Sequence, residues 1–246
     1  MRYLILSDVH ANWEALQAVT RDAAGRYDRA ICCGDLIGYC ADPNPVVDWV
    51  RHNCVLTVRG NHDKASTGLD NVEWFNPIAR NAALWTQQSL TPENAAWIRA
   101  LPGGPVDVED FEIVHGSPTD EDEYVIGAPE AAETFGYLQR RIAFFGHTHL
   151  QGGFIWNQSR VEIIPRTSLR ADRQVLEIDP ECAYLINPGS VGQPRDGDPR
   201  AAFAIFDSSA RMLTYFRAIY DIATAQRKIR AAGLPDVLAD RLTVGR

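Results

Sequence analysis

Nearly all the histidines of this chain lie in short polar blocks that also carry aspartate, asparagine and glycine. Only one of the six histidines lies outside them, and the blocks are Asp8-Val9-His10, Gly34-Asp35, Gly60-Asn61-His62-Asp63, His115-Gly116 and Gly146-His147-Thr148-His149. Imidazole nitrogen and carboxylate or amide oxygen are common ligands of divalent metals. The blocks are too far apart for one helix or hairpin to assemble them. The sequence therefore predicts a fold that brings several strand ends to one metal site.

Each of the first three blocks follows a short apolar run that predicts a buried strand. These runs are residues 3–6, 30–33 and 54–58, and amphipathic helical segments separate them. Asn12 and Asn44 are the predicted N-caps of the two helices. Open α/β sheets carry their ligand sites at the carboxyl ends of the strands, which is where these blocks fall.

The rest of the chain continues the mixture of helices and strands. Helices are predicted at residues 77–90, 92–101, 129–140 and 222–232, and strands at residues 111–114, 142–145, 153–156, 161–164, 175–178, 183–186, 202–206 and 212–217. There is no internal repeat and no low-complexity linker. The sequence therefore predicts one domain over residues 1–246.

Composition excludes several classes of function. The net charge of −8 argues against long nucleic acid as a partner, because duplex binding depends on lysine and arginine. The five cysteines contain no Cys-x-x-Cys pair, which favours buried reduced thiols over a zinc knuckle or a disulfide framework. No apolar run reaches the ~18 residues of a membrane span. The apolar start is too short for a signal peptide, so we expect a cytoplasmic protein without a membrane partner.

In order, residue type and spacing, the five blocks resemble the signature of the calcineurin-like metallophosphoesterase superfamily. The resemblance implies an α/β fold, a four-layer α/β/β/α sandwich of two mixed sheets flanked by helices. It also implies a metal-dependent phosphoesterase, in which a hydroxide that bridges two metal ions attacks phosphorus in line.

The resemblance also implies the ligands of two divalent metal ions. They are Asp8, His10 and His149 for one metal, Asn61, His115 and His147 for the other, and Asp35 as the bridge between them. Only two of these ligands are carboxylates, so the site keeps positive charge and can attract a phosphate. Manganese, iron, zinc and nickel all suit this set of ligands.

The resemblance gives His62 a catalytic role rather than a ligand role. The matching histidine of the family faces the substrate, where it would stabilise the transition state and protonate the leaving oxygen. The next residue, Asp63, is predicted to orient and charge the His62 ring.

Two arginines and one segment are candidates for substrate contact. Arg59 and Arg195 could bind phosphate, although an ion-paired Arg59 and a plain strand connection around Arg195 fit the sequence equally well. Residues 64–75, which include Trp74, either cover the site and stack on the substrate or simply pack. The acidic run at residues 120–123 lacks EF-hand spacing and is predicted to be a solvated loop.

The substrate expected from these features is a small phosphorylated or nucleotide-like molecule. The compact length and the loop at residues 187–193 resemble small bacterial phosphodiesterases, which marginally favours a phosphodiester. Residues 34–39 and 59–63 resemble the branch that holds protein serine/threonine phosphatases and dinucleoside polyphosphate hydrolases, so a phosphomonoester or a dinucleotide stays open. A non-catalytic metal-binding interaction module is the remaining alternative. No sequence pattern indicates an oligomeric state.

Overall fold

The apolar runs form two β-sheets, and the helical segments pack outside them. A computed structural model describes residues 1–164 and 171–246. In these residues the strands are β1 (Arg2–Leu6), β2 (Arg29–Cys32), β3 (Cys54–Thr57), β4 (Val106–Val108), β5 (Phe111–Ile113), β6 (Ile142–Phe144), β7 (Gly152–Trp156), β8 (Val161–Ile164), β9 (Arg173–Glu177), β10 (Ala183–Asn187), β11 (Ala201–Asp207) and β12 (Met212–Ala218). The α-helices are α1 (Trp13–Ala23), α2 (Pro43–Asn53), α3 (Asn61–Thr67), α4 (Pro77–Ser89), α5 (Pro92–Arg99), α6 (Ala128–Phe135), α7 (Ile222–Ala231) and α8 (Asp236–Asp240).

Each sheet has six strands and mixes parallel with antiparallel pairs. The first sheet has the order β3-β2-β1-β11-β12-β9, and the second has the order β4-β5-β6-β10-β7-β8. In the first sheet β1, β2 and β3 run parallel, and in the second sheet β5, β6 and β10 run parallel. The carboxyl ends of parallel strands share one edge of a sheet, so each sheet gathers three loops at its edge.

The two sheets pack face to face through aromatic and aliphatic side chains. Tyr3 and Phe111 meet edge to face at 5.0 Å between ring centroids, and Phe111 meets Phe144 at 5.3 Å. Strand β1 alternates, so Tyr3 and Ile5 enter this core while Leu4 and Leu6 face the helices. Helices α1, α2, α4, α5, α7 and α8 cover the outside of the first sheet, and α6 covers the second. The predicted four-layer sandwich is therefore confirmed.

Several element boundaries differ from the prediction. Helix α6 ends at Phe135 rather than residue 140, because Gly136 closes it with a bond from its N–H to the carbonyl of Glu133. Helix α2 begins at Pro43, so Asn44 lies inside it instead of capping it. Its side chain joins α2 to α5 by accepting from the Thr91 N–H at 2.9 Å.

Of these strands and α-helices, three were not predicted, namely α3, α8 and β4. Helix α3 has the sequence NHDKAST, which has no apolar periodicity, yet most of its residues are buried. Within the described part of the chain, no helix combines the length and the apolar character needed to cross a membrane.

Candidate metal centre

The predicted ligands come together where the carboxyl edges of the two sheets meet. They lie in or just after the loops that leave the parallel strands. Asp8 follows β1, Asp35 follows β2 and Asn61 follows β3, whereas His115 follows β5 and His147 and His149 follow β6. All of these side chains except that of Asn61 are almost completely buried. Each sheet thus supplies part of one buried polar cluster.

A first group of ligand atoms belongs to Asp8, His10, Asp35 and His149, and these atoms all lie within 4.8 Å of one another. The Nε2 atoms of His10 and His149 are 3.1 Å apart. Asp8 Oδ1 is 3.3 Å from His149 Nε2, and Asp35 Oδ2 is 3.5 Å from His10 Nε2. Two nitrogens and two carboxylates therefore converge on one point.

A second group contains Asp35, His115 and His147, whose ligand atoms also lie within 4.8 Å of one another. The same Oδ2 of Asp35 that faces His10 lies 3.5 Å from His115 Nε2. Asn61 lines a cavity together with His147, and its Oδ1 is buried without a hydrogen-bond partner in the described residues. Asp35 is common to both groups, and it is the residue for which the resemblance implies a bridging role.

Backbone carbonyls fix the orientation of three of the histidine rings. The Nδ1 atoms lie within hydrogen-bond distance of a carbonyl in the pairs His10 with Ile37 at 3.0 Å, His115 with Cys33 at 2.8 Å and His149 with Gln193 at 2.6 Å. Nδ1 acts as the donor in each pair, because a carbonyl can only accept. When the ring is neutral, Nε2 is then the nitrogen with a lone pair, and it faces the cluster. Metal-ligating histidines are commonly held in this way.

Several atoms at the centre lack the partner that burial demands. Asp8 Oδ2, Asn61 Oδ1, His115 Nε2 and His147 Nε2 are buried and make no hydrogen bond within residues 1–164 and 171–246. Each unsatisfied buried polar group costs about 1–3 kcal/mol. All four atoms can donate an electron pair to a cation. The residues present therefore fit divalent metal ions.

The pKa values of the centre depend on burial and on mutual charge. Burial lowers the pKa of His10 and of His149 well below the ordinary value, so both rings are neutral. Burial also opposes a charge on His115, but Asp35 and Asp8 outweigh it and raise the pKa of His115 to about 10. In the metal-free centre, a proton on His115 thus supplies positive charge between the carboxylates.

The His62 ring is packed between aromatic rings at the edge of the cluster. Its centroid lies 4.3 Å from that of Tyr39, 4.7 Å from Phe75 and 5.0 Å from His10. The backbone N–H of His62 donates to Asp35 Oδ1 at 2.9 Å. Burial lowers the pKa of His62 to about 4.

Asp63 does not orient the His62 ring, so that prediction is wrong. Its carboxylate accepts instead from the backbone N–H groups of Leu36 at 3.0 Å, Ile37 at 3.3 Å and Gly60 at 3.0 Å. The physical reason is that consecutive residues of a helix do not face the same side. Asp63 therefore ties the loop after β2 to the loop after β3.

The two arginines differ in their surroundings. Arg195 lies at the centre, where its Nη2 contacts Tyr39 Oη at 3.4 Å and its buried Nε has no partner among the described residues. The Arg59 guanidinium instead makes two hydrogen bonds of 3.1 Å to Glu121. This favours the ion-paired role that the sequence left open for Arg59, and Arg195 is the arginine with a free donor at the site.

The acidic run at residues 120–123 is less solvated than expected. Glu121 and Asp122 bind Lys64 at 3.0 Å and 2.8 Å, so basic residues from the β3–α3 region hold this loop.

A cavity of about 320 Å³ opens from the metal centre. Its lining consists of Tyr39, Asn61, His62, Asp70, Asn71, Trp74, Phe75, Asn76, Ala79, Asp122, Tyr124 and His147. Part of the segment at residues 64–75 therefore borders the site, as one of its two predicted roles requires. Sequence reasoning missed Tyr39 and Tyr124, although Tyr39 ends the 34–39 segment and could have been found there.

Comparisons with known proteins agree with this geometry. A sequence model of the calcineurin-like phosphoesterase superfamily domain matches residues 1–211. An uncharacterized protein of Methanocaldococcus jannaschii is 32% identical over 98% of this chain and 97% of its own length. The crystal structure of a metallophosphoesterase from Sphaerobacter thermophilus has a TM-score of 0.88 and 40% identity, with both chains fully covered. A hypothetical protein from Pyrococcus horikoshii shares the fold, with a TM-score of 0.76, 15% identity and coverage of 100% and 98% of the two chains.

Proposed function

Because this chain belongs to the calcineurin-like phosphoesterase superfamily, we propose that it hydrolyses phosphate esters with two divalent metal ions. The observation that carries the proposal is the pair of buried ligand groups that share Asp35. Asp8, His10 and His149 would hold one ion, and Asn61, His115 and His147 would hold the other, with Asp35 between them. We propose manganese as the first metal to test, while iron, zinc and nickel suit the same ligands.

The protein contributes orientation and charge around the phosphate. When bound, the two ions supply Lewis acidity toward the phosphoryl oxygens and lower the pKa of water. Arg195 would donate hydrogen bonds to a phosphoryl oxygen, because its buried Nε has no partner in the described residues. A guanidinium suits this task, since its donors match the geometry of phosphate oxygens.

His62 would move a proton to the leaving oxygen. Its low pKa in the metal-free centre makes the ring neutral, but a phosphate anion beside it favours the charged form and raises the pKa. Gly38 covers the Nδ1 side of the ring, which leaves Nε2 as the nitrogen that can reach a substrate. The His62→Ala variant should keep both metals and lose most turnover.

A phosphodiester is the marginally favoured substrate. The support is the cavity beyond His62, which can hold a second organic group, whereas the phosphate of a monoester needs only the metal centre and Arg195.

The decisive experiment compares bis(p-nitrophenyl) phosphate with p-nitrophenyl phosphate, using chelator-stripped protein with and without manganese. We expect manganese to restore hydrolysis, with faster cleavage of the diester. Preferred cleavage of the monoester would reverse the choice of substrate. Bound metal without hydrolysis of either ester would favour the non-catalytic interaction module.

A further inference from the structure

The cavity beyond His62 has aromatic walls that ligation of metal does not explain. Tyr124 lies against His147 with 3.8 Å between ring centroids, and Phe75 lies against His62. Trp74 differs from these residues, because it is 85% exposed beside the cavity. An exposed indole at the mouth of a buried polar site contributes no free energy of burial unless a ligand covers it.

The turn that carries Trp74 is well anchored. It is a short 3₁₀ helix, Val72–Trp74, capped by the side chain of Asn71, which accepts from the Glu73 N–H at 2.9 Å. Directly after it, Asn76 caps α4 through bonds to the N–H groups of Ile78 and Ala79. Caps on both sides fix the backbone that carries Trp74 beside the cavity.

The rim of the cavity is acidic. Lys64 is shared between two lining carboxylates, with 2.8 Å to Asp122 and 3.9 Å to Asp70. A third carboxylate, Glu121, forms an ion pair with the same lysine at 3.0 Å. Arg59 also binds Glu121, so three carboxylates share two cations and one negative charge is left over at this end of the cavity. It repels further phosphate groups, while the carboxylate oxygens can accept hydrogen bonds from ring amino groups.

We propose, on the basis of the proposed function, that this cavity binds the planar ring of a nucleobase esterified through its sugar to the reacting phosphate. Trp74 is the stacking face, Tyr124 is a further aromatic residue of the lining, and Asp70 and Asp122 accept from exocyclic amino groups. The volume of about 320 Å³ lies in the range of pockets that hold small molecules. The substrate class is thus a nucleoside ester with one phosphate rather than a polyphosphate.

The test measures binding of adenosine 5′-monophosphate and ribose 5-phosphate to the manganese-loaded protein by calorimetry. The two probes share the phosphate and the sugar, so their difference reports the base. Stacking of a base on an aromatic side chain is worth about 1–3 kcal/mol, so we expect the nucleotide to bind at least about tenfold tighter.

Two variants test whether this difference in affinity comes from the cavity. Trp74→Leu should bring the two dissociation constants within about twofold of each other, since it removes the stacking energy. Tyr137→Leu is the control, because Tyr137 is also an exposed aromatic residue, at 50%, but does not line the cavity. It should leave the ratio unchanged.

Two results would overturn the subsite. One is equal binding of both probes by the native protein, and the other is tighter binding of phosphocholine than of the nucleotide, which would mark a site for a quaternary ammonium group. Both probes are phosphomonoesters, so their binding is also measured in manganese-loaded His62→Ala, which should keep its metals and lose most turnover. The two proposals then fail separately. Hydrolysis of bis(p-nitrophenyl) phosphate without nucleotide selectivity defeats only the subsite, whereas selectivity without hydrolysis defeats only the phosphoesterase.

Discussion

Many of the candidate ligands occupy a backbone conformation that residues with side chains seldom adopt. Their φ angles are positive: 52° at Asp8, 48° at His10, 53° at Asp35, 66° at His147 and 60° at His149. Such residues cost free energy and persist only where the surroundings hold them, often at functional sites. Here the N–H of Asp8 donates to the Gly34 carbonyl, and the N–H of His10 donates to the Asp35 carbonyl, both at 3.0 Å. The strained turns aim side chains from separate loops at one point.

Asp35 is the residue on which the two ligand groups depend. In Asp35→Asn a neutral amide replaces the shared carboxylate, although its oxygen can still accept from the His62 N–H. We expect the variant to fold, to bind less metal and to lose turnover by more than about 100-fold. Circular dichroism, metal analysis and kcat check these three points, and retained turnover would contradict the two-metal proposal.

Gly38 offers a test of the position of His62. It has φ of 89°, and a Cβ built there would lie 2.7 Å from His62 Nδ1. Gly38→Ala should therefore displace the ring and lower kcat by about 100-fold, because a shift of ~1 Å in a catalytic group is costly. Metal content should not change.

Gly197 provides the matched control for Gly38. Its φ is 86°, so alanine there meets the same backbone strain, but nothing lies within 4 Å of the built Cβ. Gly197→Ala should lower stability by about 1 kcal/mol and leave kcat within about twofold. Equal loss of kcat in both variants would mean that strain, and not His62, is responsible.

At the level of elements, the helices and strands that could be predicted are those with a local sequence pattern of their own. The strands before Asp8, Asp35 and His115 are apolar runs that end in polar residues, so their position and the edge of the site could be predicted. Helix α3 could not be predicted, because its burial comes from polar residues that bond to neighbouring loops. Contacts such as Arg59 with Glu121 also join residues far apart in sequence, and no local pattern encodes them.

A buried ion pair braces the loop that carries Arg195. Arg217 on β12 and the adjacent Asp196 have side chains only 1% and 2% exposed. Arg217 Nη1 donates to Asp196 Oδ1 at 3.2 Å, and Nε donates to Gln151 Oε1 at 3.0 Å. Gln151 follows His149 closely, so this arginine connects two loops of the site.

Removal of Arg217 should be strongly destabilising. Arg217→Met leaves the Asp196 carboxylate buried without its partner, which costs about 3–5 kcal/mol. Urea unfolding measures the change. The control is Arg160→Met, whose pair with Glu162 is exposed, at 74% and 41%, and contributes about 0–1 kcal/mol. A similar small effect in both variants would show that the buried pair does not stabilise the fold.

For the whole molecule, the metal centre lies where both sheets end, so bound metal joins them. Asp8 and Asp35 come from the first sheet, and His115, His147 and His149 come from the second. Metal that binds only the folded chain stabilises it by about 2.7 kcal/mol at 100 times the dissociation constant. For a chain of this size that corresponds to a rise in Tm of about 5–10 °C. Calorimetric melting of stripped and manganese-loaded protein tests this, and the rise should be much smaller in Asp35→Asn.

The same centre should make the stability of the metal-free protein depend on pH. The pKa of His115 is about 10 in the folded state, above its ordinary value of 6.5. A raised pKa contributes stability that is complete below the unfolded value and is lost as the pH rises through the folded value. We therefore expect the Tm of metal-free protein to fall between about pH 7 and about pH 9. Bound metal replaces the His115 proton, so the loaded protein should lose less Tm over this interval. An equal fall in Tm in both forms would show that protonation of His115 does not cause the pH dependence of the metal-free protein.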